Sequence, residues 1–534
     1  MTASAHIDTF TRDCLPPRNT WPDLLFTLPD LHYPPLLNCA DVLLDRWVEQ
    51  GAGSERCLVT NDETWTYADL LARANQVAHV LVSDLGLVPG NRVLLRGPNN
   101  PWLVACWFGV LKAGGVAVTT MPQLRARELQ TIAEMASVDL AFCDHRFVNE
   151  LELAKINVLR IVRYGLDAIG DLTRLCETKP AEFVNVRTAA DDVALLAFTS
   201  GTTGKPKATM HFHRDVLAIA DTFSRHVLRP RRRDLFAGSP PLAFTFGLGG
   251  LVVFPMHAGA ATVLLEKAGS DEMLEAVGRH RVTTLCTSPT AYRAMVPKLQ
   301  SADISSLRDC VSAGETLPKA TWEAFHDSSG IKIIDGIGST EMLHIFISAA
   351  GAQIRPGSTG QPIPGYVAEV QDDDGRPVAA GRIGRLAVKG PTGCRYLRGD
   401  LQGDYVKNGW NITGDTYIRD ADGYYWYQAR SDDMIISAGY NIAGPEVEEA
   451  LLRHPDVAEA AVIGVPDEDR GMIVKAFVVV RPGVSQAPDV RSLQDFVKAQ
   501  IAPYKYPRAV EFVEKLPRTA TGKLQRFRLR PRAR

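Results

Sequence analysis

The sequence lacks paired cysteines: its 534 residues include nine cysteines, and none of them forms a C-x-x-C pair. A zinc ribbon would need such pairs, and a disulfide framework would need a denser pattern in a shorter chain. We therefore expect isolated, buried thiols in a reducing compartment. The length exceeds what one compact core accommodates, so two or more domains are expected.

An excess of charge of one sign is also lacking, since the formal net charge is −2. We therefore expect neither nucleic acid nor a membrane surface as a partner. Met1–Thr20 has charges and prolines without a long apolar run, so no secretion signal is expected. The most apolar stretch, Gly247–Leu265, contains a histidine, a proline and glycines, which favours a buried strand–loop–helix passage over a membrane helix. The expected location is cytoplasmic.

Helix-like segments alternate with short apolar segments from about Thr66 onward, which predicts an α/β architecture with largely parallel sheets. Strands are expected at Arg92–Leu95, Gly115–Thr119, Ala194–Phe198, Val282–Cys286 and Lys332–Ile334. Short strands with Gly, Asp and Tyr around Arg382–Lys389 and Asn411–Tyr427 predict a small β-rich subdomain.

The last hundred residues form a second compact pattern. It consists of a helix at Pro445–Arg453, strands at Ala458–Val465 and Val474–Val480, and a helix at Leu493–Ile501. This length suffices for an independent domain. The predicted domains are residues 1–431 and 432–534, and the arginine-rich end, Arg526–Arg534, is expected to be a frayed basic tail.

A loop rich in Gly, Thr and Ser, Thr199–Lys207, ends in two lysines and follows a predicted strand. Glycines let the backbone approach phosphate oxygens, hydroxyls donate hydrogen bonds, and lysine supplies positive charge. The P-loop of nucleoside triphosphatases is excluded, because only Thr202 and Thr203 separate the glycines and Pro206 follows Lys205. A plain turn is the alternative to a phosphate-binding loop.

Three further motifs combine glycine with polar groups. In Asp335–Glu341 the carboxylate of Glu341 suits a Mg²⁺ ligand facing polyphosphate, and a capped helix N-terminus is the alternative. In Thr413–Asp415 the aspartate can accept hydrogen bonds from two ribose hydroxyls, whereas a Gly-Asp pair is more often a turn. In Leu516–Lys523 the lysine is either catalytic or merely solvated.

In order and spacing these motifs resemble those of the adenylate-forming superfamily of acyl-CoA synthetases, luciferases and peptide-synthetase adenylation domains. Two further segments match this family: Ser312–Pro318, its adenine-contacting loop, and Arg430–Gly439, which begins with a nucleotide-contacting arginine. The resemblance spans Thr199 to Lys523. It implies an N-terminal domain with two α/β subdomains and a β-rich subdomain, followed by a small mobile α+β domain that rotates about Asp432.

The family's functional residues transfer to matching positions here. The implied catalytic residues are Lys523, Thr340, Glu341 and His344, with Glu341 as the Mg²⁺ ligand. The implied ATP and AMP site comprises Thr199, Ser200, Gly201, Thr202, Thr203, Gly204, Lys205, Gly314, Glu315, Thr316, Asp335, Gly336, Ile337, Gly338, Thr340, Asp415 and Arg430. Most members have an aromatic residue where Ile337 stands, so adenine would here rest on an aliphatic surface.

The acid is expected to be aromatic. Met342–Ile347 is similar to benzoate-CoA ligases, in which the magnesium motif runs into a pocket histidine, here His344. Pro241–Gly249 resembles their substrate segment and looks most like that of 2-aminobenzoate (anthranilate) CoA ligases. The implied aryl-acid pocket is Phe244, Thr245, Phe246, Gly247, Gly338 and His344. Phe244 and Phe246 could alternatively be ordinary core residues.

The acceptor is expected to be coenzyme A. Ser437–Ile442 resembles the loop that lines the pantetheine tunnel after domain rotation. The expected CoA-binding residues are Ser437, Gly439, Tyr440, Arg470 and Lys505. Arg508 and the Arg231–Arg233 run could also meet the CoA phosphates, and for all of these cationic groups plain solvation is the alternative.

The sequence thus predicts an ATP- and Mg²⁺-dependent aryl-acid:CoA ligase that acts on 2-aminobenzoate or a related benzoate, as a monomer or homodimer. Alternatives are an enzyme that loads an aryl acid onto a carrier-protein thiol and a medium-chain fatty acyl-CoA synthetase. A kinase would release ADP, a dead binding protein would be expected to lose Lys523 or Glu341, and a luciferase-like oxygenase would require oxygen.

Overall fold

The computed structural model describes residues 3–156, 159–200, 206–399, 401–430, 433–437, 440–467, 470–484, 487–501, 503–518 and 524–530. Its strands, in chain order, are β1 (Arg56–Val59), β2 (Thr64–Thr66), β3 (Arg92–Arg96), β4 (Val116–Thr120), β5 (Leu140–Asp144), β6 (Arg160–Tyr164), β7 (Val193–Ser200), β8 (Pro206–Phe212), β9 (Leu235–Gly238), β10 (Ala261–Val263), β11 (Thr284–Thr287), β12 (Asp309–Ser312), β13 (Ile333–Gly338), β14 (Ile345–Ser348), β15 (Gln361–Pro362), β16 (Val367–Gln371), β17 (Ile383–Lys389), β18 (Val406–Lys407), β19 (Trp410–Arg419), β20 (Tyr425–Arg430), β21 (Ile435–Ser437), β22 (Tyr440–Ile442), β23 (Val457–Asp467), β24 (Gly471–Val480) and β25 (Ala509–Phe512).

The α-helices are α1 (Phe10–Asp13), α2 (Arg46–Glu49), α3 (Tyr67–His79), α4 (Pro101–Lys112), α5 (Ala126–Ala136), α6 (Val148–Leu153), α7 (Leu172–Glu177), α8 (His213–Ile219), α9 (Thr245–Leu248), α10 (Phe254–Ala258), α11 (Ser270–His280), α12 (Pro289–Met295), α13 (Lys319–Ser329), α14 (Gln402–Tyr405), α15 (Gly444–Leu452) and α16 (Val490–Gln500). Wider π-helical turns extend several of them, at Asp41–Asp45, Val80–Asp84, Ala220–Leu228 and Gly249–Val253. Short 3₁₀ turns lie at Arg18–Thr20, Pro29–Leu31, His145–Phe147, Val296–Ser301, Gly351–Gln353, Pro503–Lys505 and Arg526–Arg528.

Two large sheets form the framework. One has six strands in the order β6-β5-β3-β4-β7-β8, parallel except for the antiparallel pair β7–β8. The other has nine strands in the order β15-β14-β13-β12-β11-β9-β10-β1-β2, with parallel pairing from β13 to β1. Helix α4 packs on β3 and β4 and against α3, which in turn packs on β1 and β2. Almost every side chain of α4 is buried, and its N-terminus is capped by Asn100. The two predicted α/β subdomains are these two sheets with their helices.

Two smaller units follow. Strands β16 to β20 form a five-stranded antiparallel sheet, which is the predicted β-rich subdomain. The final unit contains the hairpin β21–β22 and the three-stranded sheet β23-β24-β25 with α15 and α16. Its own apolar core includes Val447, Leu451 and Val462. The predicted helices and strands of this unit are all present, with ends shifted by at most three residues.

Two expectations were wrong. Gly247–Leu265 has the reverse order, with continuous helical turns through Ala258 and then strand β10, because Gly259 (φ +71°) ends the helix in the left-handed conformation. The basic tail is not wholly frayed, since Arg526 forms a salt bridge with Glu448 at 2.7 Å and Arg530 pairs with Asp433 at 2.5 Å.

The cysteines agree with the sequence analysis: all nine are free, and all but Cys14 are buried. Among the described residues, no helix combines the length and the apolar character that crossing a bilayer requires.

Candidate active site

A tight turn between two antiparallel strands carries the expected magnesium and acid-pocket residues. Strand β13 runs through Asp335–Gly338, where a loop was expected, because Gly336 and Gly338 pair with Ser348 and Ile345 of β14. A Cβ at Gly336 would lie 2.7 Å from Cγ2 of Ile345, so glycine permits this close pairing. The alternative of a capped helix N-terminus is wrong, since no helix follows.

The turn itself is strained and well anchored. Leu343 has φ +69°, which is unusual for a residue other than glycine, and its amide donates to the carbonyl of Thr340 at 3.2 Å. The Met342 amide donates to Oγ of Ser339 at 3.2 Å, and Oγ1 of Thr392 donates to the Met342 carbonyl at 2.7 Å. These bonds hold Thr340 and Glu341 in one arrangement.

Glu341 is oriented by a tyrosine. The Tyr396 hydroxyl donates to its Oε1 at 2.7 Å, and burial next to this carboxylate raises the pKa of Tyr396. Among the described residues no cluster of three or more metal-binding side chains exists. A single oriented carboxylate fits Mg²⁺, which is usually held by one or two carboxylates together with substrate phosphates and water.

His344 lies at the centre of an aromatic cage. Its ring centroid is 4.5 Å from that of Phe254, 5.6 Å from Phe223 and 5.7 Å from Phe246. The side chain is buried, and neither ring nitrogen makes a hydrogen bond of good geometry among the described residues; the backbone of Phe246 is the polar group that interacts with the ring. Burial lowers its pKa to about 3, so the imidazole is neutral at pH 7.

The expected aryl-acid segment contacts this histidine. Phe244 precedes helix α9, which contains Thr245, Phe246 and Gly247. Phe244 and Phe246 are partly exposed, unlike ordinary core residues, and Phe246 reaches the His344 ring. Gly249 permits this contact, since a Cβ there would lie 2.3 Å from Cδ2 of His344. Gly247 is equally constrained, with a hypothetical Cβ 2.1 Å from the Pro241 carbonyl.

The two expected ribose and nucleotide groups, Asp415 and Arg430, face each other across β19 and β20. Nη1 of Arg430 lies 3.2 Å from Oδ1 of Asp415 and 3.1 Å from the carbonyl of Thr413. The Thr413–Asp415 triplet lies within strand β19, at an irregularity of its pairing with β17 where Gly414 has φ +77°, and not in a separate turn.

The expected adenine loops meet at the ends of β12 and β13. Gly314 (φ +90°) and Thr316 follow β12, and Glu315 accepts a hydrogen bond from Thr290 at 2.7 Å. Ile337 is partly buried on β13. Burial raises the pKa of Asp335 to about 7, and its Oδ1 has no partner among the described residues.

Several expected site residues lie outside the described residues: Gly201, Thr202, Thr203, Gly204 and Lys205 of the phosphate loop, the hinge residue Asp432, Gly439 and the catalytic candidate Lys523. The structure does describe the residues on either side of this part of the expected phosphate loop. Thr199 and Ser200 end β7, and Lys207 on β8 has its Nζ 5.5 Å from the centroid of the Tyr396 ring.

The expected CoA residues are only partly brought together. Nε of Arg470 lies 3.4 Å from Oγ of Ser437, and Tyr440 follows on strand β22. Lys505 instead forms a salt bridge with Glu446 at 2.6 Å, and Arg508 lies over the ring of Tyr506. In the run Arg231–Arg233, Arg232 pairs with Glu55 at 2.8 Å.

The small C-terminal unit touches the adenine loop through Arg518. Its Nη1 lies 3.5 Å from Oε1 of Glu315, and its Nη2 lies 2.6 Å from Oε2 of Glu459. Glu459 in turn lies 3.5 Å from Arg293 on α12. A series of ion pairs therefore joins the C-terminal unit to the large domain beside the expected adenine loop.

Sequence reasoning missed three groups at this site: Tyr396, Phe223 and Phe254. Each contacts an expected residue, yet each lies more than fifty residues from it in the chain. Tyr396 follows a buried arginine and had no motif of its own, and neither phenylalanine belongs to one of the motifs. Nothing local in the sequence distinguishes them.

Comparisons with known proteins agree with this geometry. The family model "AMP-binding enzyme" matches residues 44–396, and "AMP-binding enzyme C-terminal domain" matches residues 446–523. A benzoate–CoA ligase of Thauera aromatica is 34% identical over 514 residues, covering 94% of this chain and 98% of that protein. The solved anthranilate CoA ligase AuaEII, in complex with anthranoyl-AMP, is 35% identical with a TM-score of 0.89, covering 94% and 98% of the two chains. A benzoate CoA ligase from Burkholderia xenovorans LB400 is 32% identical with a TM-score of 0.85, covering 93% and 100%.

The fold and the motif order define an adenylate-forming enzyme. The chain belongs to the AMP-binding enzyme family, in its benzoate–CoA ligase group. The predicted fold class, with a large mixed α/β domain and a small C-terminal domain, is confirmed. The boundary at residue 432 and the assigned roles of individual residues stay predictions.

Proposed function

We propose that this protein is an ATP-dependent aryl-acid:CoA ligase that acts on 2-aminobenzoate or a related benzoate. One observation carries the choice of acid: a neutral histidine, His344, packed among three phenylalanines beside the turn that contains Glu341. The similarity to an anthranilate CoA ligase and to benzoate–CoA ligases supports the same class of acid.

The chemistry of the cage favours a flat ring with a small polar substituent. Aromatic walls pack on a ring by its face or edge, with ring centroids about 4.5–7 Å apart. The neutral His344 has one nitrogen that donates and one that accepts, so it can serve a carboxylate or an ortho amino group. The Thr245 hydroxyl adds a second polar group to the same segment.

The proposed first half-reaction activates the acid. A carboxylate is a poor acyl donor, and its attack on the α-phosphate of ATP displaces pyrophosphate and gives a mixed anhydride, from which AMP is the leaving group in the next step. The Thr199–Lys207 loop would bind the β- and γ-phosphates, and Asp415 would bind the ribose. Glu341 would hold Mg²⁺, which neutralises phosphate charge when bound. Lys523 would bring the two reacting anions together, and its gain comes largely from positioning.

The proposed second half-reaction transfers the acyl group. Pyrophosphate leaves, and the small domain rotates about Asp432 so that Lys523 withdraws and Gly439 approaches the adenylate. The thiolate of CoA then attacks the acyl carbon and AMP departs. Ser437, Tyr440, Arg470 and Lys505 are proposed CoA contacts, of which Lys505 would have to exchange its bond to Glu446 for a phosphate. We propose the cytoplasm as the location of this reaction.

The test is AMP release with ATP and Mg²⁺ across benzoate, 2-aminobenzoate, salicylate, 4-hydroxybenzoate and octanoate, each with and without CoA. The proposal expects CoA-dependent turnover that is highest with 2-aminobenzoate. A His344→Leu variant should lose most of the discrimination between 2-aminobenzoate and benzoate, while the KM for ATP changes little.

Other outcomes would point to the two alternatives. Acid-dependent exchange of pyrophosphate into ATP without CoA turnover would indicate a carrier-protein thiol as the acceptor. A preference for octanoate over every aromatic acid would contradict the aryl pocket and indicate a medium-chain acyl-CoA synthetase.

A further inference from the structure

We propose that His211 is a positioning residue: it fixes the carbonyl of Thr340 and thereby the neighbouring carboxylate of Glu341 relative to strand β8. The effect on catalysis rests on the function proposed above. The contact is direct, since Nε2 of His211 lies 2.8 Å from the Thr340 carbonyl oxygen. His211 is fully buried on β8, the strand that begins directly after the phosphate loop.

The surroundings settle which proton His211 carries. The Thr340 carbonyl can only accept, so Nε2 must be the protonated nitrogen. Nδ1 has no hydrogen-bond partner among the described residues, which agrees with an unprotonated nitrogen. Oγ1 of Thr209 lies 3.1 Å from Nε2 and 3.4 Å from the same carbonyl, so it reinforces one tautomer and one ring orientation. Burial lowers the pKa of His211 to about 4, so the ring stays neutral at pH 7.

The bond connects two separately built parts of the site. Strand β8 belongs to the six-stranded sheet, whereas the turn after β13 belongs to the nine-stranded sheet. The turn is held with Leu343 at φ +69°, a conformation that needs outside support. The Thr340 carbonyl already accepts from the Leu343 amide, so His211 supplies a second donor from the opposite sheet.

A buried ion pair lies behind the histidine. Arg395 and Asp215 are both fully buried and hydrogen-bonded to each other, and Oδ2 of Asp215 lies 3.9 Å from Nδ1 of His211. Arg395 directly precedes Tyr396, which donates to Glu341. His211 contacts Thr340 and Tyr396 contacts Glu341, and both of these residues lie next to the buried pair of Arg395 and Asp215.

The test compares His211→Gln with His211→Leu. Glutamine places an amide N–H at the same number of bonds from Cβ as Nε2 of histidine, so it can restore the donor, whereas leucine cannot. We expect His211→Leu to lower kcat of adenylation on the order of 10–100-fold, as for other residues that orient metal ligands. We expect its half-saturating Mg²⁺ concentration to rise severalfold, with the KM for the acid unchanged, and His211→Gln to recover most of both.

The control is His213→Gln. His213 is also fully buried, two residues along the chain, but its Nδ1 contacts the Cys39 amide at 3.2 Å and not the turn. We expect this variant to lose thermal stability, while the ratio of its adenylation rate to its thioesterification rate stays as in the wild type. Thioesterification of supplied aryl adenylate by His211→Leu should stay within a few-fold of wild type.

Equal losses in both half-reactions of His211→Leu, or no recovery with His211→Gln, would contradict the inference. Calorimetric binding of MgATP gives a readout that does not need turnover: the leucine variant should bind it more weakly than the glutamine variant. A wild-type protein that makes no AMP from any of the acids contradicts the proposed function alone, because MgATP binding by the variants still decides the role of His211.

Discussion

Two anions must meet for the acid to be activated, and at the scale of single residues Lys523 is the group expected to bring them together. Lys523→Ala should lower kcat of adenylation by about 10²–10³, the usual cost of removing one group that stabilises transition-state charge. Thioesterification of supplied aryl adenylate should remain nearly intact, because the lysine withdraws before that step. Pyrophosphate release and adenylate consumption measure the two half-reactions separately.

The matched control is Lys515→Ala, which removes an exposed lysine from the same segment. It should leave both half-reactions at wild-type rates. An equal loss of rate in both half-reactions of Lys523→Ala would contradict the proposed role of this lysine in adenylation.

Asp335 gives a residue-scale prediction about stability. Burial raises its pKa from 3.8 to about 7, so the folded state binds the proton more tightly than the unfolded chain does. The stabilisation is fully present below pH 3.8 and is lost as the pH rises through 7. The Asp335→Asn variant has no carboxyl to ionise at this position. Its melting temperature minus that of the wild type should therefore increase as the pH rises from 4 to 7.5. Scanning calorimetry at four pH values measures this, and a constant difference would show that the carboxyl is not desolvated.

At the scale of elements, the helical turns Thr245–Ala258 carry the aryl segment to His344. Gly249→Ala would place a Cβ 2.3 Å from Cδ2 of His344, so the ring or the helix must move. Overpacking of this kind costs about 1–3 kcal/mol. We expect a melting temperature lower by several degrees and a KM for the aromatic acid raised at least severalfold, with the KM for ATP nearly unchanged.

Gly403→Ala is the control, because this glycine lies in helix α14 and a Cβ there meets nothing within 4 Å. Alanine has the higher helix propensity, so stability should stay constant or rise by up to about 1 kcal/mol. If Gly249→Ala behaved like this control, the contact between the helix and His344 would not matter for the acid.

The helices and strands also show which parts of the fold could be predicted from the sequence and which could not. The strands that lead into Thr199–Lys207 and Asp335–Glu341 were predictable, because a local run of apolar residues encodes each of them. The length of β13 could not be predicted in the same way. Glycines such as Gly336 and Gly338 usually indicate a turn, and only their pairing with β14 shows that they belong to a strand. Phe223 and Phe254 belong to helices whose positions beside His344 depend on the order of strands in the sheet, which no local pattern encodes.

At the scale of the whole molecule, the site is assembled from units that are far apart in sequence. The nine-stranded sheet supplies the turn with Glu341 and His344, the six-stranded sheet supplies His211 and the ends of the phosphate loop, and the five-stranded sheet supplies Asp415. Arg518 of the C-terminal unit reaches Glu315 beside the adenine loop. Among the described residues, the groups with proposed roles are thus divided between several units, so we expect the relative placement of the units to affect activity.

The same burial that builds the site should make the molecule sensitive to acid. Burial lowers the pKa of His211 to about 4 and those of His213 and His344 to about 3, against 6.5 when exposed. Below pH 6.5 the unfolded chain gains these protons and the folded state does not, so stability falls by about 1.4 kcal/mol per pH unit for each histidine.

Asp335, Asp41 and Asp309, whose pKa values are raised, act in the opposite sense, whereas His6 and His280, whose pKa values are lowered, act in the same sense as these histidines. We expect a net loss of stability on acidification between roughly pH 6 and 4.5. Guanidinium unfolding followed by tryptophan fluorescence at pH 7, 6 and 5 measures it. His213→Gln should reduce the slope by about 1.4 kcal/mol per pH unit whatever it does to stability at pH 7, because it removes one titrating group. An unchanged slope in that variant would mean that the buried ring already carries its proton in the folded state.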